Sequence, residues 1–429
     1  MAIDSNGNLF VAGRTLSTDI PTTANAYQPA KRPDWDLFVV KLDSDLSTVL
    51  ASTYLGGNKM ESWGPVSITV DSRDNVVLLS RTISPDFPVT SGAFDTSYND
   101  YAPGHGDAVV AKLDNSLSDL MAATFIGGAL WDDPRAISID SQDNIIIGGA
   151  TNNSSYYGAF YPVTPGAFAS CSNHAFSAEA FVSRLSSDLS TLLASTCIGQ
   201  NYAFDAVYAV AEAADASVVI AGRTESNHFP VTAGAFDTSS NGGHDAFVAR
   251  FDATLSVLMY SSYLGGNAND FANGMLLDAN GNIHIAGGTS SENFPVTPDG
   301  SGKIPGGSAD AFHARFAPDL SALEFSTLIG GSGADWAYGP LLINSDIYLY
   351  GYTRSDDFPT SPGAYDSSYN GGYDGFIARP GLLVLDSDGD GVDDTVDNCP
   401  AVANPGQTDT DGDGPGRPLI HILRCRRRG

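Results

Sequence analysis

Basic residues are scarce in this chain. Its 429 residues hold 21 Lys and Arg against 50 Asp and Glu, for a net charge of −29. Five of the Arg crowd into the last thirteen residues, so the body before them is more acidic still. A body of that sign repels phosphate backbones and anionic lipid, which excludes nucleic acid as an expected partner. Apolar runs of eighteen residues are missing, so no membrane insertion is expected. A helical i, i+3, i+4, i+7 stripe of any length is missing too. There are only four cysteines, Cys171, Cys197, Cys399 and Cys425, too few for a disulfide framework. Cys197 stands where sibling repeats carry Tyr54, Phe125 and Tyr263. Core packing is therefore its expected role, with a bridge to Cys171 as the alternative. The chain has no HExxH, GxxxxGK[ST] or GxSxG motif. The seven histidines fall at unrelated positions, and His313, where a sibling has Val248, reads as a local variant. No export signal is visible, because Met1-Ala-Ile-Asp-Ser-Asn-Gly-Asn begins inside a repeat. Earlier repeats and a signal are expected to precede it.

Glycine and turn residues are abundant, and they are periodic. The stretch Gly242 to Gly266 reads as two short strands joined by a turn and closed by a double glycine. Versions open at Asp36, Asp107, Glu179 and Asp310, and a sixth at Asp374 loses the pattern after Arg379. These acids are 71, 72, 66, 65 and 64 residues apart. A second hairpin fills each period, with an apolar strand ending in an acid, an Asn-Gly-type turn such as Ser5 to Asn8 or Ala279 to Asn282, and a glycine-ended strand. Four strands per period predict an all-β fold, a β-propeller of four-stranded blades. Six units are visible over residues 1–380, giving six blades or seven. The fourth strand of the sixth is absent or supplied by Leu382 to Leu385. The loops at Phe87, Phe229 and Phe358 (FPVTSGAF and its variants) are expected to tuck apolar side chains back onto their own blade.

After Leu385 the composition changes to DSDGDGVDDTVDNCPAVANPGQTDTDGDG. Counted from Asp386, the residues Asp386, Asp388, Asp390, Gly391, Val392, Asp394 and Asp397 fill positions 1, 3, 5, 6, 7, 9 and 12 of a calcium loop. Five carboxylates and the Val392 carbonyl supply hard oxygen donors, and the glycine allows the sharp turn. Asp409, Asp411 and Asp413 begin a second loop that lacks the later acids. Calcium is the expected cofactor, bound by residues 381–416. Residues 417–429 form a basic tail that matches neither neighbour.

Two sets of repeated acids remain. Each third strand pairs an acid with a base five residues on (Asp36 with Lys41, Asp245 with Arg250), which puts the two on opposite faces and makes a structural role the expected one. A second acid follows each double glycine: Glu61, Asp132, Asp205, Asp270 and Asp335. These are expected to cap turns; facing a central channel, they would instead form an acidic ring.

The D-x-F-V-x-[KR]-L and S-T-Y-L-G-G segments, with the FPVT loops, resemble the bacterial SBBP-type β-propeller repeat family over residues 1–380. The DSDGDGVDDTVDNCP stretch resembles a thrombospondin type 3 repeat. These resemblances imply an exported or surface-associated protein with an extracellular calcium-binding module. The function expected is a non-catalytic extracellular or cell-surface scaffold, monomeric, binding a protein or carbohydrate ligand. The alternative is a polysaccharide-degrading glycosidase or lyase using a carboxylate pair in the channel.

Overall fold

The computed structural model describes residues 1–380 apart from 63, 100–103, 155, 172–173, 201–202, 299, 301–306 and 362. Those residues form a six-bladed β-propeller. Blade one comprises β1 (Ala2–Ile3), β2 (Leu9–Thr15), β3 (Asp36–Leu42) and β4 (Val49–Leu55). Blade two comprises β5 (Ser67–Val70), β6 (Val76–Thr82), β7 (Asp107–Leu113) and β8 (Leu120–Ile126). Blade three comprises β9 (Asp132–Ile139), β10 (Ile145–Asn153), β11 (His174–Leu185) and β12 (Leu192–Ile198). Blade four comprises β13 (Ala206–Glu212), β14 (Val218–Thr224), β15 (Asp245–Phe251) and β16 (Leu258–Leu264). Blade five comprises β17 (Asp270–Leu277), β18 (Ile283–Thr289), β19 (Asp310–Phe316) and β20 (Leu323–Ile329). Blade six has three strands among the described residues, β21 (Asp335–Ile343), β22 (Asp346–Thr353) and β23 (Asp374–Ala378). Leu382 to Leu385, the sequence candidate for its fourth, lie outside the described residues.

Each sheet is antiparallel in simple chain order. The first turn of blades one, two, three and five is fixed by its acid. Asp4 accepts from the Asn8 amide at 2.8 Å and from the Asn8 side chain at 2.9 Å. Asp71 with Asn75, Asp140 with Asn144 and Asp278 with Asn282 repeat the arrangement. The residue before the closing position has positive φ, and Gly7 and Gly281 meet that need without strain.

The long loop between second and third strands does two jobs, only one of them expected. Its Phe-Pro ring packs on its own blade, as in Phe229 against Phe247 at 4.4 Å and Phe294 against Phe312 at 4.6 Å. The loop then runs along the outer strand, where Thr90, Thr164, Thr232 and Thr297 donate to the carbonyls of Ala123, Ser195, Ser261 and Ser326. That covers an edge that would otherwise be open to pairing. The Gly-Ala-Phe ring does not return to its own blade, contrary to the sequence expectation. Phe168 packs on Phe251 of the next blade at 5.6 Å, and Phe236 on Phe316 at 5.8 Å. Their amides also donate to Leu255 and Leu320, buried turn leucines held at positive φ in that next blade. The loop overshoots its own sheet, so its last aromatic lands on the neighbour.

Cys197 does more than fill the core. It is disulfide-bonded to Cys171, with the Cα atoms 5.1 Å apart, so the alternative reading of this pair holds. The cause is the same loop path, which brings Cys171 alongside β12. Where blades one and four use a buried tyrosine hydroxyl to tie the loop (Tyr54 to Ser17, Tyr263 to Ser226), blade three uses a covalent bond.

Candidate functional site

Met1 and the inner strands of blades two to six surround a cavity of about 330 Å³. Its wall is made by residues such as Ile68, Ile137, Tyr208, Met275 and Tyr338, and none of its lining residues is a carboxylate. The acids after the double glycines are therefore not a channel ring. Asp132, Asp205, Asp270 and Asp335 are fully buried, as is Glu61. Each accepts the backbone N–H four or five residues earlier: Gly57 to Glu61, Gly128 to Asp132, Gln200 to Asp205, Gly266 to Asp270 and Gly331 to Asp335.

Each of these acids also meets the third-strand acid of the preceding blade. The two carboxyl groups converge on the first glycine of the double glycine. A carbon added at Gly265 would lie 2.6 Å from Asp245 Oδ1 and 2.8 Å from Asp270 Oδ2. Gly56 holds the same place between Asp36 and Glu61, Gly127 between Asp107 and Asp132, and Gly330 between Asp310 and Asp335. Burial, with Asp36 alongside, pushes Glu61 up to about 7. Burial, with Glu179 alongside, does the same for Asp205. Asp132 and Asp270 are raised by burial and by their partners Asp107 and Asp245. Two carboxyls this close in a dry interface favour a protonated member.

The third-strand bases do not pair with the acids five residues before them. Lys41 reaches Asp4 at 2.8 Å and Lys112 reaches Asp71 at 2.7 Å, both at the other end of the blade. Several also hold the next blade: Lys112 donates to Ser187 O, Arg184 to Ala253 O and Arg250 to Pro318 O. His313 packs beside His284, with ring nitrogens 3.0 Å apart, and burial with His284 nearby pulls it down to about 3. It is held neutral between strands.

The arrangement that sequence reasoning missed lies where the inner strands begin. An aromatic residue adjoins the inner-strand acid in four blades, Trp131, Phe204, Phe271 and Trp336. Trp131 stacks on Phe204 at 5.9 Å, and Phe271 meets Trp336 at 5.2 Å. The Arg223 guanidinium joins the two pairs, 4.7 Å from the Phe204 ring and 5.4 Å from Phe271. Blade one adds Arg14 over Trp35 at 4.9 Å, and blade six adds Arg354 over Tyr373 at 5.0 Å. Tyr352 touches both Tyr338 and Tyr373. Cations held over ring faces like this are worth about 0.5–2 kcal/mol each. The signal was present as an aromatic beside the inner-strand acid in four blades and an Arg at three second-strand ends. The aromatic precedes the acid at Trp131 and Phe204 and follows it at Phe271 and Trp336, so no single column of the repeat shows it.

The calcium-loop residues Asp386, Asp388, Asp390, Val392, Asp394, Asp397, Asp409, Asp411 and Asp413 lie outside the described residues. Their donor set of carboxylates and a carbonyl fits a hard cation.

Two sequence-family models match segments of the chain. Residues 260–295 match the SBBP beta-propeller repeat, and residues 385–407 match the thrombospondin type 3 repeat. The chain carries an SBBP-type propeller repeat. The second match takes in Asp386 to Asp397 and stops short of Asp409, Asp411 and Asp413. No curated protein matches the chain. Among solved structures, it is similar to a protein of unknown function from Dyadobacter fermentans at 12% identity, over 88% of this chain and 93% of that one, with a TM-score of 0.46. A PL25 ulvan lyase is similar at 11% identity over 82% and 78%, with a TM-score of 0.41. The NanB sialidase of Streptococcus pneumoniae is similar at 9% identity over 81% and 63%, with a TM-score of 0.41. Two enzymes and a protein of unknown function do not decide between scaffold and enzyme.

Proposed function

We propose that this propeller is a non-catalytic scaffold, working outside the cell or at its surface, that binds its ligand at the aromatic and arginine rim of the channel. The observation that carries the reading is where the carboxylates go. They occupy equivalent places in successive blades and are used between blades, while the described lining of the channel contains none. A glycosidase needs two carboxyls facing one groove. The rim instead offers flat rings and fixed cations, groups that bind without reacting. The test is to incubate the full chain with soluble polysaccharides and follow both retention and new reducing or unsaturated ends. Retention without products is expected; products at a rate above a heat-killed control would overturn the reading.

The C-terminal segment is proposed to bind calcium through Asp386, Asp388, Asp390, Val392, Asp394 and Asp397, with Asp409, Asp411 and Asp413 as a second start. Bound calcium would neutralise a run of acids that otherwise repel one another. Calorimetric titration of the full chain with calcium is expected to give heat that the double variant Asp386→Ala/Asp388→Ala loses. Heat that survives the double variant would move the metal elsewhere.

A further inference from the structure

The two ends of the propeller treat their bases differently. At the end away from the rim, every third-strand base has an acid. Lys41 pairs with Asp4, Lys112 with Asp71, Arg184 with Asp140, Arg250 with Asp215, Arg315 with Glu324 and Arg379 with Asp346. At the rim, Arg135 lies over Tyr208 and pairs with Asp133 at 2.6 Å, but Arg14, Arg223 and Arg354 lie over rings and none of these three is in an ion pair with a described carboxylate. In a chain with 50 acids this is not for want of partners. Arg223 is the clearest case. It is held between Phe204 and Phe271; its Nε is buried without a hydrogen-bond partner, as are those of Arg184 and Arg315, but only Arg223 among these lacks a carboxylate in an ion pair. Glu225, two residues on, is 3.3 Å from His244 instead. A buried guanidinium nitrogen without an acceptor costs free energy unless something brings one. Its planar fork suits a carboxylate or sulfate, bound through two parallel hydrogen bonds.

We infer that the rim binds an acidic polysaccharide, a chain of uronate-type sugars, with Arg223 as the central anion site. This rests on reading the rim as the ligand face, and it names the ligand's class. A uronate ring presents an apolar C–H face and a carboxylate at its edge, which matches a row of rings (Trp131, Phe204, Phe271, Trp336) interrupted by a cation. An acidic peptide brings carboxylates on flexible stems with no flat face to stack. General electrostatics cannot mimic the effect, because the whole chain's net charge of −29 repels a polyanion and only a local site overcomes it.

Affinity electrophoresis of the full chain, with EGTA present so that calcium cannot bridge acids to uronates, tests this. Gels would contain polygalacturonate, neutral dextran or polyglutamate. Retardation by polygalacturonate alone is expected, weakened about tenfold or more in Arg223→Gln and only partly restored in Arg223→Lys, which keeps the charge and loses the fork. Unchanged melting temperatures would show that both variants fold. Retardation by dextran of equal strength, insensitive to Arg223→Gln, would overturn the acidic-ligand inference and leave the glycan scaffold standing. Retardation by polyglutamate as strong as by polygalacturonate would overturn the sugar. Retardation by none of the three would overturn the inference, and products from any polymer would overturn the scaffold reading separately.

Discussion

Gly287→Ala is expected to abolish the native propeller or to cost about 4 kcal/mol or more, the upper end for a single substitution. Gly287 lies in β18 where the inner strand β17 carries a register shift between Ala272 and Gly274. The shift drives the Phe271 carbonyl against it, and an added Cβ would stand 1.7 Å from that oxygen. Gly222 and Gly351 face the same carbonyl in their blades, both at 1.9 Å. The obstacle is backbone on both sides, so no rotamer change relieves it. Blade two supplies the control. Its equivalent residue is Ser80, and β5 pairs with β6 without a shift. Ser80→Ala should therefore change stability by about 1 kcal/mol or less. Thermal and urea unfolding of the two variants checks the pair, and a Gly287→Ala protein that melts with the parent would refute the account of the bulge.

The second large effect is a stability that falls as pH rises through neutrality. Glu61 and Asp205 have folded-state values of about 7 against ordinary values near 4, first because they are buried and then because another acid adjoins each. The folded state thus binds more protons than the unfolded one between these limits. Its stabilisation is complete below pH 4 and is lost as pH climbs through 7. Each pKa unit is about 1.4 kcal/mol, so each residue contributes on the order of 3 kcal/mol. Asp132 and Asp270 act in the same direction. The turn acids oppose this at the other extreme. Hydrogen bonds from Ser186 and Ser190 hold Asp188 at about 2, and those from Ser217 do the same for Asp215. Their contribution is present above pH 4 and disappears as pH drops toward 2. Maximum stability is expected between about pH 4 and 6, more acid than the common range. Urea midpoints at pH 5, 6.5 and 8, taken in EGTA, should decline in that order. Glu61→Gln, which fixes the neutral form, should flatten part of the slope. Midpoints that rise from pH 5 to 8 would refute the shared-burial account.

The fold was readable because its determinants are local. Asp4-x-x-x-Asn8 turns, strand-ending glycines and alternating apolar residues each act within a few positions, and their repetition fixes the blade. The strand order within a blade follows from the period, whereas the period left six blades or seven open, and the described residues form six. What escaped lies between blades. The partner of Asp270 is Asp245, in the previous sheet, and nothing in the spacing tells a channel-facing acid from one closed into an interface. The landing of Phe168 on Phe251 and the approach of Cys171 to Cys197 both depend on how far a loop travels along an outer strand. The rim was hidden for another reason. Its residues come singly from separate blades, so only the closed ring makes a row of them. For Asp386 to Asp397 the reading rests on donor chemistry and on the family match at residues 385–407.

The placing of acid pairs across blade boundaries also sets where this protein can be cut and rejoined. A blade lifted out at its sheet edges would carry Asp245 away from Asp270, Phe236 away from Leu320 and Arg250 away from Pro318. A segment running from the second-to-third-strand loop of one blade to that of the next keeps Asp245 with Asp270, while Leu320 and Pro318, beyond β19, fall outside it. The transferable module is therefore out of phase with the visible blade by half a sheet. Grafts or permutations joined within the second-to-third-strand loops should carry their buried acid pairs with them and need rebuild only the loop-to-turn contacts, whereas those joined between sheets must rebuild both.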